Sequence, residues 1–198
     1  MSGRDDPRRV RSRAAVLAAT LELLAERGVA GTTIESVAER SGVAKTTIYR
    51  QWDGQAALVL DAFGSVLQGP QDPDTGTLRA DLLDLLGGLA EALTHSPAAR
   101  LMPALLEAAE RDPAFAVLHQ READLRHDVV RAAIARGIAR GELPEGTDVA
   151  EVLDLLSGPL FYRRLMSVGA VDRAFAQRVV DRVLAGYADG VSGAASRP

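Results

Sequence analysis

Cysteine is absent from this 198-residue chain, and lysine is nearly absent. Lys45 is the one lysine among 23 Lys and Arg residues. Without cysteine there is no disulfide framework, no thiolate chemistry and no cysteine-ligated metal, as is typical of proteins in the reducing cytoplasm. No apolar stretch reaches the roughly 18 residues that a membrane-spanning helix requires. We therefore expect a cytoplasmic protein without a membrane segment.

The sequence patterns that carry catalysis are also missing. There is no glycine-rich phosphate loop, no nucleophile elbow and no cluster of metal-ligand residues. His119 and His127 stand eight residues apart on one predicted helix, and His95 lies on another, so the histidines do not form the i, i+4 pair of a helical metal site. We predict no enzymatic activity, no metal and no cofactor.

Charge is distributed unevenly along the chain. The net charge is −4, yet residues 1–55 carry nine Arg and Lys against seven Asp and Glu. Five arginines fall within the first thirteen residues, at positions 4, 8, 9, 11 and 13. A locally basic N-terminus on an acidic remainder indicates a small module that binds a polyanion. A secretory signal is the alternative for this start, but Glu22 and Glu26 interrupt its apolar run.

The chain is predicted to be all-α, because it lacks period-two alternation and its apolar residues recur at helical spacing. Glycines and prolines mark the ends of about nine helices. We expect these helices at residues 8–27, 32–40, 43–51, 53–68, 76–95, 97–111, 113–140, 147–168 and 171–189. The segment "GPQDPDTG" (69–76) is the clearest break. It predicts two domains, residues 1–68 and residues 69–198.

Residues 32–52 have the layout of a helix-turn-helix, a DNA-binding motif. We expect Thr32 or Thr33 to cap the first helix, with a capping box between Thr32 and Glu35, and Ser41-Gly42 to form the turn. At 100° per residue, the second helix presents polar groups on its outer side that suit phosphate oxygens and base edges. The alternative is an ordinary solvated helix surface. The outer residues are Lys45, Thr46, Tyr49 and Arg50.

The segment "GTTIESVAERSGVAKTTIYRQWDGQAAL" resembles the DNA-binding segment of the tetracycline-repressor (TetR) family of bacterial transcriptional regulators. The resemblance implies an N-terminal three-helix helix-turn-helix domain, a connecting fourth helix, and a C-terminal helical bundle for ligand sensing and dimerisation. It also implies a phosphate contact at the helix end that Thr33 caps. Backbone contacts are implied for Lys45, Thr47 and Tyr49, and groove contacts for Thr46 and Arg50. We add Arg8 and Arg11 of the basic N-terminus to the predicted DNA-binding set.

Four residues depart from the family pattern. Ala44 stands where serine is usual, Gln51 where histidine is common, Trp52 in place of phenylalanine, and Gln55 where lysine is frequent. The missing lysine at position 55 removes one expected phosphate contact. The scaffold prediction is unaffected.

The last two predicted helices carry apolar stripes at helical spacing. The resemblance implies that these helices pair with those of a twofold mate in a four-helix dimer interface, and a twofold operator needs a twofold protein. An intramolecular core is the alternative explanation of the same stripes. The predicted interface residues are Leu156, Leu160, Phe175, Val179 and Val183.

A small-molecule effector is implied by the resemblance alone. In such regulators a ligand in the C-terminal core moves the fourth helix and changes the spacing of the two DNA-reading helices. Methionines and aromatics at helical spacing also fit a plain core, and we assign no effector. The candidate pocket residues are Met102, Phe115, His119, Phe161, Tyr162 and Met166.

These observations predict a sequence-specific DNA-binding transcriptional regulator, a ligand-responsive repressor that acts as a homodimer on a palindromic operator. The alternative is a helical adaptor whose basic N-terminus contacts an acidic protein or a membrane. The two hypotheses differ at Thr47 and Tyr49, since only DNA binding is sensitive to changes there.

Overall fold

The computed structural model describes residues 7–66, 71–167 and 169–194, without the side chains of 98, 114, 122 and 188–194. This part of the chain contains nine α-helices and no strand, which confirms the all-α prediction. The helices are α1 (Pro7–Arg27), α2 (Ile34–Ser41), α3 (Lys45–Tyr49), α4 (Gly54–Val66), α5 (Leu78–His95), α6 (Pro97–Arg111), α7 (Pro113–Ala139), α8 (Val149–Leu165) and α9 (Arg173–Ala194).

Glycine and proline account for several helix ends, as the sequence predicts. α1 stops before Gly28, whose φ of 67° lies in the left-handed region that glycine adopts without strain. α7 begins at Pro113 and stops shortly before Gly141, which has a φ of 75°. α6 runs through Pro103, and α8 runs through Pro159.

The start of α3 differs from the sequence prediction, and the end of α4 cannot be compared with it. The helix predicted from residue 43 begins at Lys45, because Ala44 has an extended ψ of 138° and serves as its N-cap. The predicted end of the fourth helix at Gln68 lies outside the described residues.

The chain divides into two compact units. The first comprises residues 1–68 and 100–122, and the second comprises residues 69–99 and 123–198. The predicted division placed residues 100–122 in the C-terminal domain, whereas they cluster with the N-terminal segment here. The division into a DNA-binding and a sensing domain stays a prediction.

The core of the first unit holds the short helix α3 in place. α1 packs against α2 and α4, and α2 packs against α3. With five residues, α3 is too short to be stable on its own, so its tertiary contacts must hold it. Ile48 and Val37 are completely buried in this core, and each such side chain contributes about 1.5–3 kcal/mol. The core also includes Val16, Leu17, Leu23, Ile34, Trp52, Leu58 and Ala62.

The second unit is built on α5, α8 and α9, which pack pairwise against one another. Completely buried side chains such as Leu82, Leu156 and Val180 fill the space between them. Arg164 of α8 donates from Nε to the carbonyl of Leu93 at 2.9 Å, near the end of α5. Carbonyls at a helix end lack partners within the helix, so this arginine stabilises the α5 terminus.

A buried carboxylate, Asp81, lies at the start of α5. Both the backbone N–H and the hydroxyl of Thr75 donate to its Oδ1 at 2.6 Å, and Arg136 approaches its Oδ2 at 3.4 Å. Burial by itself raises the pKa of Asp81, but the Thr75 hydrogen bonds and Arg136 outweigh it, so that the pKa lies below its ordinary value. Asp81 is therefore a charged group of the folded unit.

Candidate nucleic-acid interface

The turn between α2 and α3 sets the angle of the second helix. Gly42 closes α2 with a φ of 68°, a left-handed conformation that other residues adopt only with strain. The backbone N–H of Val43 donates to the Ser41 hydroxyl at 3.3 Å. The predicted turn is therefore confirmed at Gly42, whereas Ser41 is the last residue of α2.

The predicted outer face of α3 is exposed. Lys45, Thr46, Tyr49 and Arg50 all lie at the surface. Tyr49 is 55 % exposed, which is unusual for a large aromatic side chain. Ile48, on the opposite side, is completely buried, and Thr47 is half-buried between the two faces. The helix thus presents two cations, a hydroxyl and a phenol on one continuous surface.

The start of α2 corrects one prediction. Thr33, which is exposed, is the N-cap, and its Oγ1 accepts from the backbone N–H of Ser36 at 3.1 Å. The expected capping box on Thr32 is wrong, because Thr32 is buried and its hydroxyl donates to the carbonyl of Gly28 at 2.8 Å. Thr33 therefore lies at a helix N-terminus, where backbone N–H groups and the helix dipole favour an anion.

Lys45 has a protein partner that the sequence analysis missed. Its Nζ lies 2.9 Å from Oε1 of Glu35, and both side chains are at least half exposed. The hydrogen bond from Lys45 lowers the pKa of Glu35, and the backbone N–H of Glu35 adds to this effect. A phosphate that binds Lys45 must compete with this carboxylate. No periodicity signals the pair, because its members lie on different helices.

The remaining cations of the first unit differ in availability. Arg40 is bound by Glu26 at 2.8 Å and by Glu22 at 3.2 Å, and Glu26 in particular holds the pKa of Arg40 above its ordinary value. Within the described residues, the exposed Arg50 forms no ion pair. Arg11 is exposed as well, and its Nε donates to the carbonyl of Pro7 at 3.2 Å.

Arg8 is exposed in the first turns of α1. Like Arg11, it lies on a solvent-facing part of that helix, where a cation could meet a phosphate. Both assignments stay predictions.

A second missed contact lies behind α3. The indole Nε1 of Trp52 donates to Oδ2 of Asp61 at 2.6 Å, and Arg13 donates to Oδ1 of the same carboxylate at 2.8 Å. The Arg13 guanidinium also lies 5.6 Å from the centre of the Trp52 ring. The cluster connects α1, the chain just after α3, and α4.

An open cleft of about 480 Å³ lies in the first unit. None of the predicted pocket residues lines it. In this unit Phe115 is buried, and Met102 and His119 are half-buried. The cleft is lined instead by Ala57, Leu60, Asp61, Gly64, Leu118 and Arg121.

The other predicted pocket residues belong to the second unit. Phe161 is half-buried, whereas Tyr162 is 63 % exposed and Met166 is 71 % exposed. Side chains this exposed lie on the surface of the chain. Whether any of the six contacts a ligand stays a prediction.

The predicted interface residues are largely buried within the chain itself. Leu156 and Leu160 are completely buried, Phe175 and Val179 are nearly so, and Val183 is half-buried. The side chains of the first two are covered by the second unit's own core. Their contact with a partner subunit stays a prediction.

A different surface of α8 is apolar and exposed. Leu155 and Tyr162 of α8 and Met166, the C-cap of this helix, are spaced by seven and four residues, which places them along one side of it. We call these three residues the α8 stripe.

The turn, the buried side of α3 and its exposed polar side together define a helix-turn-helix protein, a class that binds DNA. Among the described residues, no helix is long and apolar enough to cross a membrane.

Comparison with known proteins gives the family. Residues 16–62 match the family of bacterial regulatory proteins named tetR, and residues 72–183 match the tetracyclin repressor-like C-terminal domain. The chain is 33 % identical over 181 residues to the uncharacterized HTH-type transcriptional regulator YdeS of Bacillus subtilis (strain 168), covering 90 % of this chain and 91 % of that protein. It therefore belongs to the TetR family and is a DNA-binding transcriptional regulator.

Two further likenesses agree with this assignment. The DNA-binding transcriptional repressor TetR of Mycobacteroides abscessus is 33 % identical over 174 residues, covering 86 % of this chain and 90 % of that protein. The crystal structure of the TetR family transcription regulator SCO0332 is similar with a TM-score of 0.69 and 34 % identity, covering 88 % of this chain and 97 % of that chain.

Proposed function

We propose that this regulator represses transcription by binding as a homodimer to a palindromic operator, with α3 in the major groove. The observation that carries the proposal is the exposed polar surface of α3, backed by the buried Ile48. A helix with one buried side and one exposed polar side is suited to enter a groove without losing its own packing.

The exposed groups divide by chemistry into two roles. Lys45 and Tyr49, together with the helix end at Thr33, suit phosphate oxygens, which position a protein on DNA. Thr47 is half-buried at the edge of this surface, where its hydroxyl would suit a phosphate of the DNA backbone. Arg50 suits the O6 and N7 atoms of guanine, and Thr46 suits a base edge or a thymine methyl group.

Dimerisation is supported by the α8 stripe. A tyrosine, a leucine and a methionine exposed along one helix side are the kind of residues that protein interfaces cover. A twofold axis at this helix would bring the α8 stripe against its own copy, as an isologous interface requires. The predicted residues Phe175, Val179 and Val183 would then support the interface from the packed α9 side.

An effector site is supported by the cleft beside α4. Its walls combine apolar side chains with one carboxylate and one guanidinium, which are the groups that would orient a small molecule there. Asp61 of this wall also binds Trp52, so an occupant of the cleft has a direct route to the chain that follows α3.

The adaptor alternative requires a basic docking patch at the N-terminus. There Arg13 is paired with Asp61, whereas Arg8 and Arg11 are exposed, so the cations themselves suit either hypothesis. The exposed groups of α3 and the family assignment favour DNA binding.

Repression is tested with a promoter that carries a fragment selected from random DNA by the full chain. We expect transcription in vitro to fall as the protein is added, and light scattering to show a dimer at micromolar concentration. A stable monomer would contradict the dimer, and transcription that rises would make the protein an activator.

A further inference from the structure

The carboxylate of Asp61 joins three parts of the first unit. It accepts the indole N–H of Trp52 at 2.6 Å and the Arg13 guanidinium at 2.8 Å. Arg13 belongs to α1, Asp61 belongs to α4, and Trp52 follows α3 by three residues. The Asp61 side chain therefore connects α1 and α4 to the segment that directly follows α3.

Trp52 is well placed to transmit this contact. Its side chain is 4 % exposed, and its backbone N–H donates to the carbonyl of Ile48 at 3.0 Å. The indole is thus anchored in the core on one side and tied to α3 on the other. Tyr49 and Arg50, three and two residues before Trp52, lie on the exposed face.

The hydrogen bond depends on the indole N–H of Trp52. Phenylalanine has a similar ring but no donor, so it would leave Asp61 with Arg13 alone. The Asp61 side chain is 30 % exposed, and the contact is a charge-assisted hydrogen bond to an indole that is almost completely buried.

We propose that Asp61 is a positioning residue for DNA binding, which fixes the orientation of α3 through Trp52 without touching the DNA. The proposal rests on the proposed function, because it assumes that α3 enters the groove. It differs from a plain stability role, since α3 would lose its orientation in a chain that is still folded.

The test compares Trp52→Phe, Asp61→Asn and the double variant of the full chain on the DNA fragment that the wild type selects. Each single variant is expected to bind this fragment about tenfold more weakly, as the loss of one hydrogen bond to a charged group suggests. The double variant should be no weaker than the weaker single variant, because Trp52→Phe removes the indole contact and Asp61→Asn weakens the same contact by removing its charge. The dependence of affinity on salt should be unchanged, since no phosphate contact is lost.

Asp53→Asn is the matched control. Asp53 is exposed and adjacent to Trp52, so the variant makes the same charge change near the DNA without cutting the indole contact. Its affinity should remain at or above that of the wild type, since one negative charge near the phosphates is removed.

Trp52 is the only tryptophan of the chain, so its fluorescence reports on the contact directly. In Asp61→Asn, acrylamide should quench the emission more strongly while circular dichroism shows unchanged helix content. If Asp61→Asn fails to fold, Trp52→Phe carries the binding test alone.

The outcomes separate this proposal from the proposed function. If the wild type selects a fragment and the folded variants bind it equally well, Asp61 serves stability only and the proposal is overturned. A changed salt dependence would also overturn it, since Asp61 would then act through its charge. A wild type that selects no DNA overturns the proposed function and this inference together.

Discussion

The strongest quantitative prediction concerns Lys45, whose replacement by alanine should weaken binding to all DNA sequences alike. The ammonium lies on the exposed side of α3 and is held at 2.9 Å by Glu35, with about half of its side chain exposed. Binding to DNA therefore exchanges a carboxylate partner for a phosphate partner.

The expected magnitude follows from counterion release. Each phosphate contact adds about 0.9 to the slope of log affinity against log salt, so two subunits lose about 1.8 in Lys45→Ala. When salt is raised about fourfold, the wild type should then lose about twelvefold more affinity than the variant. The variant also leaves Glu35 unpaired near the DNA, which weakens binding further at low salt.

Fluorescence anisotropy with a labelled fragment at several salt concentrations measures this slope. Glu35→Gln is the informative companion, because it frees Lys45 and should strengthen binding to any sequence. In the Lys45→Ala background the same change should help less, since only the direct repulsion of phosphate is then removed. An unchanged slope in Lys45→Ala would refute a phosphate contact, whatever the change in affinity.

Three further predictions concern stability and assembly. Thr33→Ala removes the N-cap of α2 and should lower the free energy of unfolding by about 1 kcal/mol in denaturant titrations, whereas Thr33→Ser should be nearly neutral. Asp81→Asn should cost about 2 kcal/mol at pH 7. Because the pKa of Asp81 is lowered on folding, the charged carboxylate stabilises the fold above the ordinary pKa near 4, and this stabilisation is lost as pH falls below that value. The free energies of unfolding of the wild type and the variant should therefore converge in acid. A difference that stays constant with pH would contradict this. Tyr162→Glu should produce a monomer in light scattering at unchanged helix content, whereas Leu125→Glu, at an equally exposed apolar position on α7, should leave the dimer intact.

Much of the fold could be predicted from local sequence signals. Gly28 and Gly141 mark helix ends because a residue in the left-handed conformation cannot continue a right-handed helix. Pro113 marks a helix start because its fixed φ suits the first helical position, where no N–H donor is needed. The exposed side of α3 was also predictable, because a wheel of 100° per residue separates Ile48 from Arg50.

The local competition at the start of α2 was harder to predict. Thr32 and Thr33 are both acceptable caps, and the choice depends on which hydroxyl is buried. Thr32 turns back to the carbonyl of Gly28 in the preceding turn, which leaves Thr33 as the cap. Sequence spacing alone does not contain that information.

The contacts that organise the interface could not be predicted, because they join residues far apart in sequence. Lys45 and Glu35 are ten residues apart, and Arg13 and Asp61 are 48 apart, without any periodic relation. The sequence did show that position 52 holds tryptophan where the family pattern has phenylalanine. Its meaning depended on the Asp61 carboxylate across the unit, which only the structure supplies.

The most direct test of the central claim is to select bound fragments from random DNA with the wild type and with Arg50→Ala. For the wild type we expect an inverted repeat whose half-sites lie about one helical turn apart, or a multiple of it. Arg50→Ala should retain the symmetry but lose the preference for one base in each half-site, at a cost of about 1–3 kcal/mol for the wild-type fragment. Identical base preferences for both proteins would contradict the claim that the exposed side of α3 reads the operator.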